Sequence, residues 1–232
     1  MDEFIQEYLM HPSVGLTLRA CLLALGIQLL VGVPIGLFLA QKKTFLRSLS
    51  EIIVTLPMIF PPMALGYFLL LVLGRNGPIG HVLDEYFHIR IIFSFWGVFI
   101  ASFVVGLPFM VKSVQAARQQ LNPSLIEAAQ TLGIAPLRIL FKVVLPNIKS
   151  GLLAGILLAL GRSVGEVGIT LMLGGNITGR TETLSLGIYN AVIEGDFRRA
   201  AILSGILSVV AVVILIILNC FLPDKAASVN RV

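Results

Sequence analysis

Five stretches of the chain, residues 14–40, 52–73, 91–111, 152–173 and 200–222, are predominantly apolar for 21 to 27 residues each. About 20 apolar residues at 1.5 Å per residue cross a ~30 Å hydrocarbon core as a helix. A helix satisfies its backbone polar groups internally, as lipid demands. A membrane barrel needs ten-residue strands of alternating polarity instead, and no such alternation occurs. The expected fold is therefore an all-α polytopic membrane protein of about five spans, a single domain over residues 1–232. Composition agrees: 57% of residues are hydrophobic and 12% charged, against about 25% charged in soluble domains. That ratio excludes a soluble enzyme, a nucleic-acid binder or a disordered scaffold. Cys21 and Cys220 both lie in apolar runs and form neither a disulfide framework nor a metal set.

Five spans place the termini on opposite sides, and charge selects the side. With the N-terminus outside, the inner segments hold Lys42, Lys43, Arg47, Lys112, Arg118, Arg138, Lys142, Lys149, Lys225 and Arg231. The outer loops then hold only Arg75, Arg90, Arg180, Arg198 and Arg199. This follows the positive-inside bias, so the chain is expected in the cytoplasmic membrane with its C-terminus inside. Asp2, Glu3 and Glu7 precede the first span without a basic n-region, so that span is expected to act as an uncleaved insertion signal.

The second span carries Pro57, Pro61 and Pro62 and should kink or break. Gly26, Gly32 and Gly36 in the first offer small faces for close helix packing. Five spans enclose little space alone, which predicts an oligomer.

The longest inner segment, 112–150, is patterned as structure. Asn122 precedes Pro123 as an N-cap before a first-turn proline, and Gly133 is a C-terminal stop. Between them Leu125, Ala128, Ala129 and Leu132 form one apolar stripe. Pro136 opens a second helix through Leu140, Phe141 and Val144, ending near Pro146. Glu127, Arg138 and Lys142 project from this helix–turn–helix. Two readings fit: a knob that docks in another protein's groove, or an amphipathic hairpin resting on the bilayer.

Glu127-Ala128-Ala129, three residues, Gly133, nine residues, then Val143-Val144-Leu145-Pro146 resembles the EAA loop of ABC importer permeases, with Val143 at the usual isoleucine position. The resemblance implies a type I importer permease fold, with 122–146 as a coupling loop. Ala128, Ala129, Gly133, Leu145 and Pro146 would shape a surface that docks on a separate cytoplasmic ATPase, and Glu127 would pair with a basic group there. Leu56-Pro57, Pro61-Pro62, Gly66-Tyr67 and the run Gly74-Arg75-Asn76-Gly77-Pro78-Ile79-Gly80 are similar to molybdate-type permeases. So are Arg162-Ser163-Val164-Gly165-Glu166-Val167-Gly168 and Gly175-Asn176-Ile177-Thr178-Gly179-Arg180-Thr181, although relatives often have phenylalanine at Val167. The implied activity is import of an oxyanion, molybdate or its cousins tungstate and sulfate, delivered by an extracytoplasmic binding protein. Two ATPase copies would serve a permease homodimer, holding the ATP and Mg; no cofactor is expected on this chain.

Arg162 and Glu166 are the only charges in the fourth span and share a helix face at i, i+4. An unpaired charge at the bilayer centre costs at least ~2.5–3.5 kcal/mol, so both should face protein or water. They either line a translocation path in the homodimer, with Ser163, Gly165 and Gly168, or clip this helix to its neighbour. Gly161, Gly165, Gly168, Gly174 and Gly175 suit a movable gate and tight packing equally. The outer loops 74–90 and 174–199 are either docking surfaces for the binding protein or plain solvated loops. His11, His81 and His88 have no ligand spacing. No G-x-x-x-x-G-K-[ST] loop and no Ser–His–Asp grouping is present, so no catalysis is expected on the chain. An intramembrane enzyme or an ATPase-independent secondary transporter would leave the coupling loop unexplained.

Overall fold

The computed structural model describes residues 12–41 and 44–221. Asp2, Glu3, Glu7, His11, Lys42, Lys43, Lys225 and Arg231, and the last residue of the fifth apolar run, lie outside the described residues. Those described are helical, with no strand among them.

Helix α1 (Pro12–Leu39) buries Ser13, Thr17, Ala20, Cys21, Ala24, Gln28, Gly32, Gly36 and Leu39. That three-and-four spacing is one face of a helix, and it packs on α5 (Phe95–Gln119). Approach is close because two of the expected glycines sit on it. A Cβ on Gly32 would lie 2.8 Å from Met110 Cγ, and one on Gly36 2.8 Å from the Val111 carbonyl. Gly26 faces open space.

The second apolar run is two helices, α2 (Phe45–Ile59) and α3 (Pro62–Leu73), bent by 119°. Pro57 sits inside α2 without ending it. The break falls at Phe60 and Pro61, both with ψ in the extended range, because residues before proline are pushed out of the helical region. Helix α4 (Pro78–Phe87) follows, in the segment expected outside. The third run also departs from its expected bounds. Ser94 caps α5 by accepting from Trp96 N–H at 3.2 Å, and the helix continues to Gln119, eight residues past the apolar run.

The inner segment forms α6 (Pro123–Thr131) and α7 (Pro136–Asn147), the latter widened to a π-turn at Leu140–Val144. Helix α8 (Lys149–Val164) leaves α7 at 72°. The fourth run, expected as one helix, is split: α8 stops at Val164 and α9 (Gly168–Gly174) begins after a gap at Gly165-Glu166-Val167. Helices α10 (Leu184–Ile193) and α11 (Phe197–Phe221) are the last among the described residues. Among the described residues three helices are long and apolar enough to span alone, and five spans result if each bent pair counts as one.

Helices α1, α5 and α8 pack as the centre, around Met110, Val114, Ile148 and Ala159. Ala129, Ile139 and Val144 of the inner hairpin join that same cluster. A second cluster, Leu65, Ala101, Val105, Ile169 and Leu173, joins α3 and α9 to α5.

Candidate translocation site and coupling surface

Glu166 is buried in the gap between α8 and α9. Its Oε2 lies 2.6 Å from an Arg162 terminal nitrogen, and its Oε1 accepts from Ile169 N–H at 2.8 Å. One carboxylate therefore pairs with the last turn of α8 and caps the first turn of α9, where unsatisfied amide groups favour negative charge. The Arg162 side chain is 32% exposed. Leu158 and Gly161 on α8 and Gly165 at its C-cap are exposed, so a face of α8 with small residues and one partly exposed cation is left largely uncovered.

The expected site residues do not all share that face. Ser163 is buried on the opposite side, where it donates to the Ser102 carbonyl at 2.8 Å and accepts from Gln28 Nε2 at 3.4 Å. It belongs to the packing of α1, α5 and α8, not to an open path, because i+1 on a helix points about 100° away from Arg162. Gly168 belongs to a close approach: a Cβ there would sit 2.9 Å from Pro62 Cβ. The start of α9 thus lies against the start of α3, and the two span breaks are neighbours. Gly66 continues the contact, facing Met172 and Ile169.

The polar knot around Gln28 was not singled out from the sequence. Its Nε2 donates to the carbonyls of Ser102 at 3.0 Å and Phe103 at 3.2 Å. The signal available was a lone amide in an apolar span, together with Gly106, whose Cβ would lie 2.3 Å from Gln28 Nε2 and 2.6 Å from Ser163 Oγ.

The outer loop 174–199 is only partly a surface. Thr178 and Arg180 are exposed, but Thr181, Glu182 and Thr183 are buried. Glu182 accepts from Asn190 Nδ2 at 2.8 Å and Ser13 Oγ at 3.4 Å, with Arg199 3.9 Å away. Thr17 Oγ1 accepts from Leu184 N–H at 2.9 Å. These bonds tie α10 and α11 to the N-terminal end of α1.

In the segment expected inside, Asn122 caps α6, accepting from Ser124 N–H at 3.1 Å. Gly133 turns the chain at φ +69° with nothing near its Cβ position, so the backbone angle alone calls for glycine. Of the expected stripe, Ala129 faces the core, while Leu125, Ala128 and Leu132 face outward beside Glu127. Leu137 and Phe141 extend this exposed apolar surface, Leu145 is half-buried and Pro146 is exposed. Ala129, Ile139 and Val144 anchor the hairpin in the core, and its other face is exposed.

This bundle of broken spans with a protruding inner hairpin is that of a membrane transport permease. Residues 32–224 match the family of binding-protein-dependent transport system inner membrane components, and the chain belongs to that family. Membership implies a separate binding protein and an ATPase as partners. The molybdenum transport system permease protein ModB of Haemophilus influenzae is 32% identical over 87% of this chain and 90% of its own. ModB of Escherichia coli K12 is 33% identical over 84% and 90%. The sulfate transport system permease protein CysT of Salmonella typhimurium is 31% identical over 90% and 76%. A crystal structure of a bacterial ABC transporter that imports alginate superposes with a TM-score of 0.59 at 21% identity, covering 90% of this chain and 77% of that one, a likeness of fold.

Proposed function

We propose that this chain is the permease subunit of an ATP-driven molybdate importer, working as a homodimer in the cytoplasmic membrane with its N-terminus outside. The observation that carries the mechanism is the Arg162–Glu166 pair held at a span break next to an uncovered face of α8. Two such faces brought together would line a path. In it Arg162 offers a cation to a tetrahedral dianion, and Glu166, already paired to it, keeps the attraction shallow enough for release. Gly165 gives the break its freedom, and Gly168 lets α3 and α9 move together as a gate. The exposed apolar surface around Glu127, Ala128 and Leu132, shaped by Ala129, Gly133, Leu145 and Pro146, would couple that motion to the ATPase. ATP and Mg bind on that partner, two copies per dimer, and this chain performs no catalysis. The similarity to molybdenum permeases supports molybdate as the anion.

A second reading is sulfate as the cargo, since a sulfate permease of Synechocystis is 35% identical over 88% of this chain. Tungstate has the same charge and shape as molybdate and would share the path. The test is uptake in proteoliposomes holding this chain, its ATPase and its binding protein, with labelled molybdate outside and ATP inside. ATP-dependent uptake blocked by tungstate but not by sulfate is expected. Sulfate uptake would keep the mechanism and replace the cargo; uptake without ATP would overturn the reading.

A further inference from the structure

Two cavities meet at the outer end of α3. One, of about 550 Å³, is an apolar cleft lined by Leu70, Leu71, Leu73, Ile91, Ile92 and Phe93. The other, of about 860 Å³, is polar and includes His81, Glu85 and His88. Arg75, Asn76, Asp84 and Arg90 line both and so stand at the junction. Asp84 holds the two guanidiniums from either side: Arg75 Nε lies 3.3 Å from Oδ2, and Arg90 Nε donates to Oδ1 at 3.2 Å. Both contacts use Nε. Among the described residues the terminal nitrogens of both arginines have no other partner, and both side chains are mostly exposed. Glu85 Oε2 lies 3.1 Å from His81 Nδ1 on the same helix, so the forks supplied to the junction are those of Arg75 and Arg90.

The surroundings are those of a lipid interface. Helix α4 exposes Ile79, Val82 and Tyr86 at i, i+3 and i+7 and carries its charged residues on the other side, the pattern of a helix lying in the plane of a bilayer surface. Phe87 at the end of this helix and Phe93 and Trp96 after it are exposed aromatics of the kind enriched at membrane interfaces. Leu71, which lines the cleft, is exposed on the same helix as Tyr67 and Phe68.

We propose that this junction binds a phospholipid with an anionic headgroup: the phosphate on the Arg75 and Arg90 forks, the headgroup in the polar cavity, and an acyl chain in the cleft. Guanidinium forks match phosphate oxygens in pairs, and an apolar slot continuous with a polar one fits an amphiphile better than a free ion. The proposal rests on α3 reaching a membrane surface, and not on the anion transported.

Trp96 is the single tryptophan of the chain, so it reports on nearby lipid. The full chain is placed in phosphatidylcholine nanodiscs with a small fraction of phosphatidylglycerol brominated on its acyl chains, without ATP or substrate. Phosphatidylglycerol should quench Trp96 at lower mole fraction than brominated phosphatidylcholine does. Arg75→Gln with Arg90→Gln should erase that preference, with about a fivefold loss per arginine. Arg75→Lys with Arg90→Lys, which keeps the charge without the forks, should fall between and serves if the first variant does not fold. Equal quenching by the two lipids overturns the proposal. So does an unchanged preference in the glutamine variant, or a variant that loses only its hold on the binding protein, which would make this a protein-docking surface. Because no transport is read, failure of the importer reading leaves this result standing.

Discussion

Replacing Arg162 with Gln removes the one charge partner that the buried Glu166 carboxylate has among the described residues. Breaking a fully buried ion pair from one side costs about 3–5 kcal/mol. Arg162 is 32% exposed, so water reaches part of the vacated space, and Glu166 keeps its bond from Ile169 N–H; about 2–3 kcal/mol remains. Glu166→Gln retains an oxygen for Ile169 N–H and for Arg162 but turns two charge-assisted bonds into weaker ones, at about 1–2 kcal/mol. The double variant places two neutral amides together and leaves no buried charge. It should be more stable than the sum of the single costs implies, with a coupling of about 1–2 kcal/mol. Thermal unfolding of the purified complex reads this directly, with Arg162→Gln melting roughly 5–10 °C below the parent. ATP-driven uptake then separates the roles. If Arg162 lies on the anion's route, the double variant assembles and hydrolyses ATP but does not transport. Strict additivity of the melting shifts would refute the buried-pair reasoning, and full uptake by the double variant would reduce the pair to a helix clip.

Three further outcomes follow from the packing and the hairpin. Gly106→Ala pushes a methyl to within 2.6 Å of both Gln28 Nε2 and Ser163 Oγ; it should cost about 1–3 kcal/mol, read as lower melting and poorer assembly of the purified complex. Gly133→Ala meets no atom but must hold φ +69°; about 1–2 kcal/mol of local strain should raise protease cleavage between α6 and α7 with little change in overall melting. Glu127→Lys reverses an exposed charge beside the outward apolar surface. The variant complex should fold normally yet lose binding-protein stimulation of ATP hydrolysis, and unaltered stimulation would remove Glu127 from the coupling surface.

The spans and the hairpin were legible because each depends on near-neighbour patterns: apolar length, Asn122-Pro123 at one end of α6, Gly133 at its other. Pairing of Arg162 with Glu166 was readable for the same reason, being one helical turn. The break that sets Glu166 free to cap α9 was not, since no proline marks it and its cause is tertiary: α9 leans on α3 at Gly168 and Pro62. Ser163 was misplaced by sequence adjacency to Arg162, although one residue along a helix faces another side. Glu182 lies in the loop 174–199, for which the sequence offered only a docking surface or a solvated loop. Its partners Ser13, Asn190 and Arg199 come from three helices, and long-range contacts leave no spacing to read.

The proposed transport mechanism puts the uncovered face of α8 on the anion's route. Single cysteines at Gly161 or Gly165, in a chain with Cys21 and Cys220 replaced by Ala, test it most directly. Both positions accept a Cβ, the nearest atoms being Ile214 Cδ1 at 3.8 Å and the Gly161 carbonyl at 3.7 Å. An anionic, membrane-impermeant thiosulfonate should label them at a rate that changes when ATP is added, and molybdate should slow the labelling. Thiols that never react with the anionic reagent but react readily with a lipid-soluble maleimide would place this face against lipid and contradict the account.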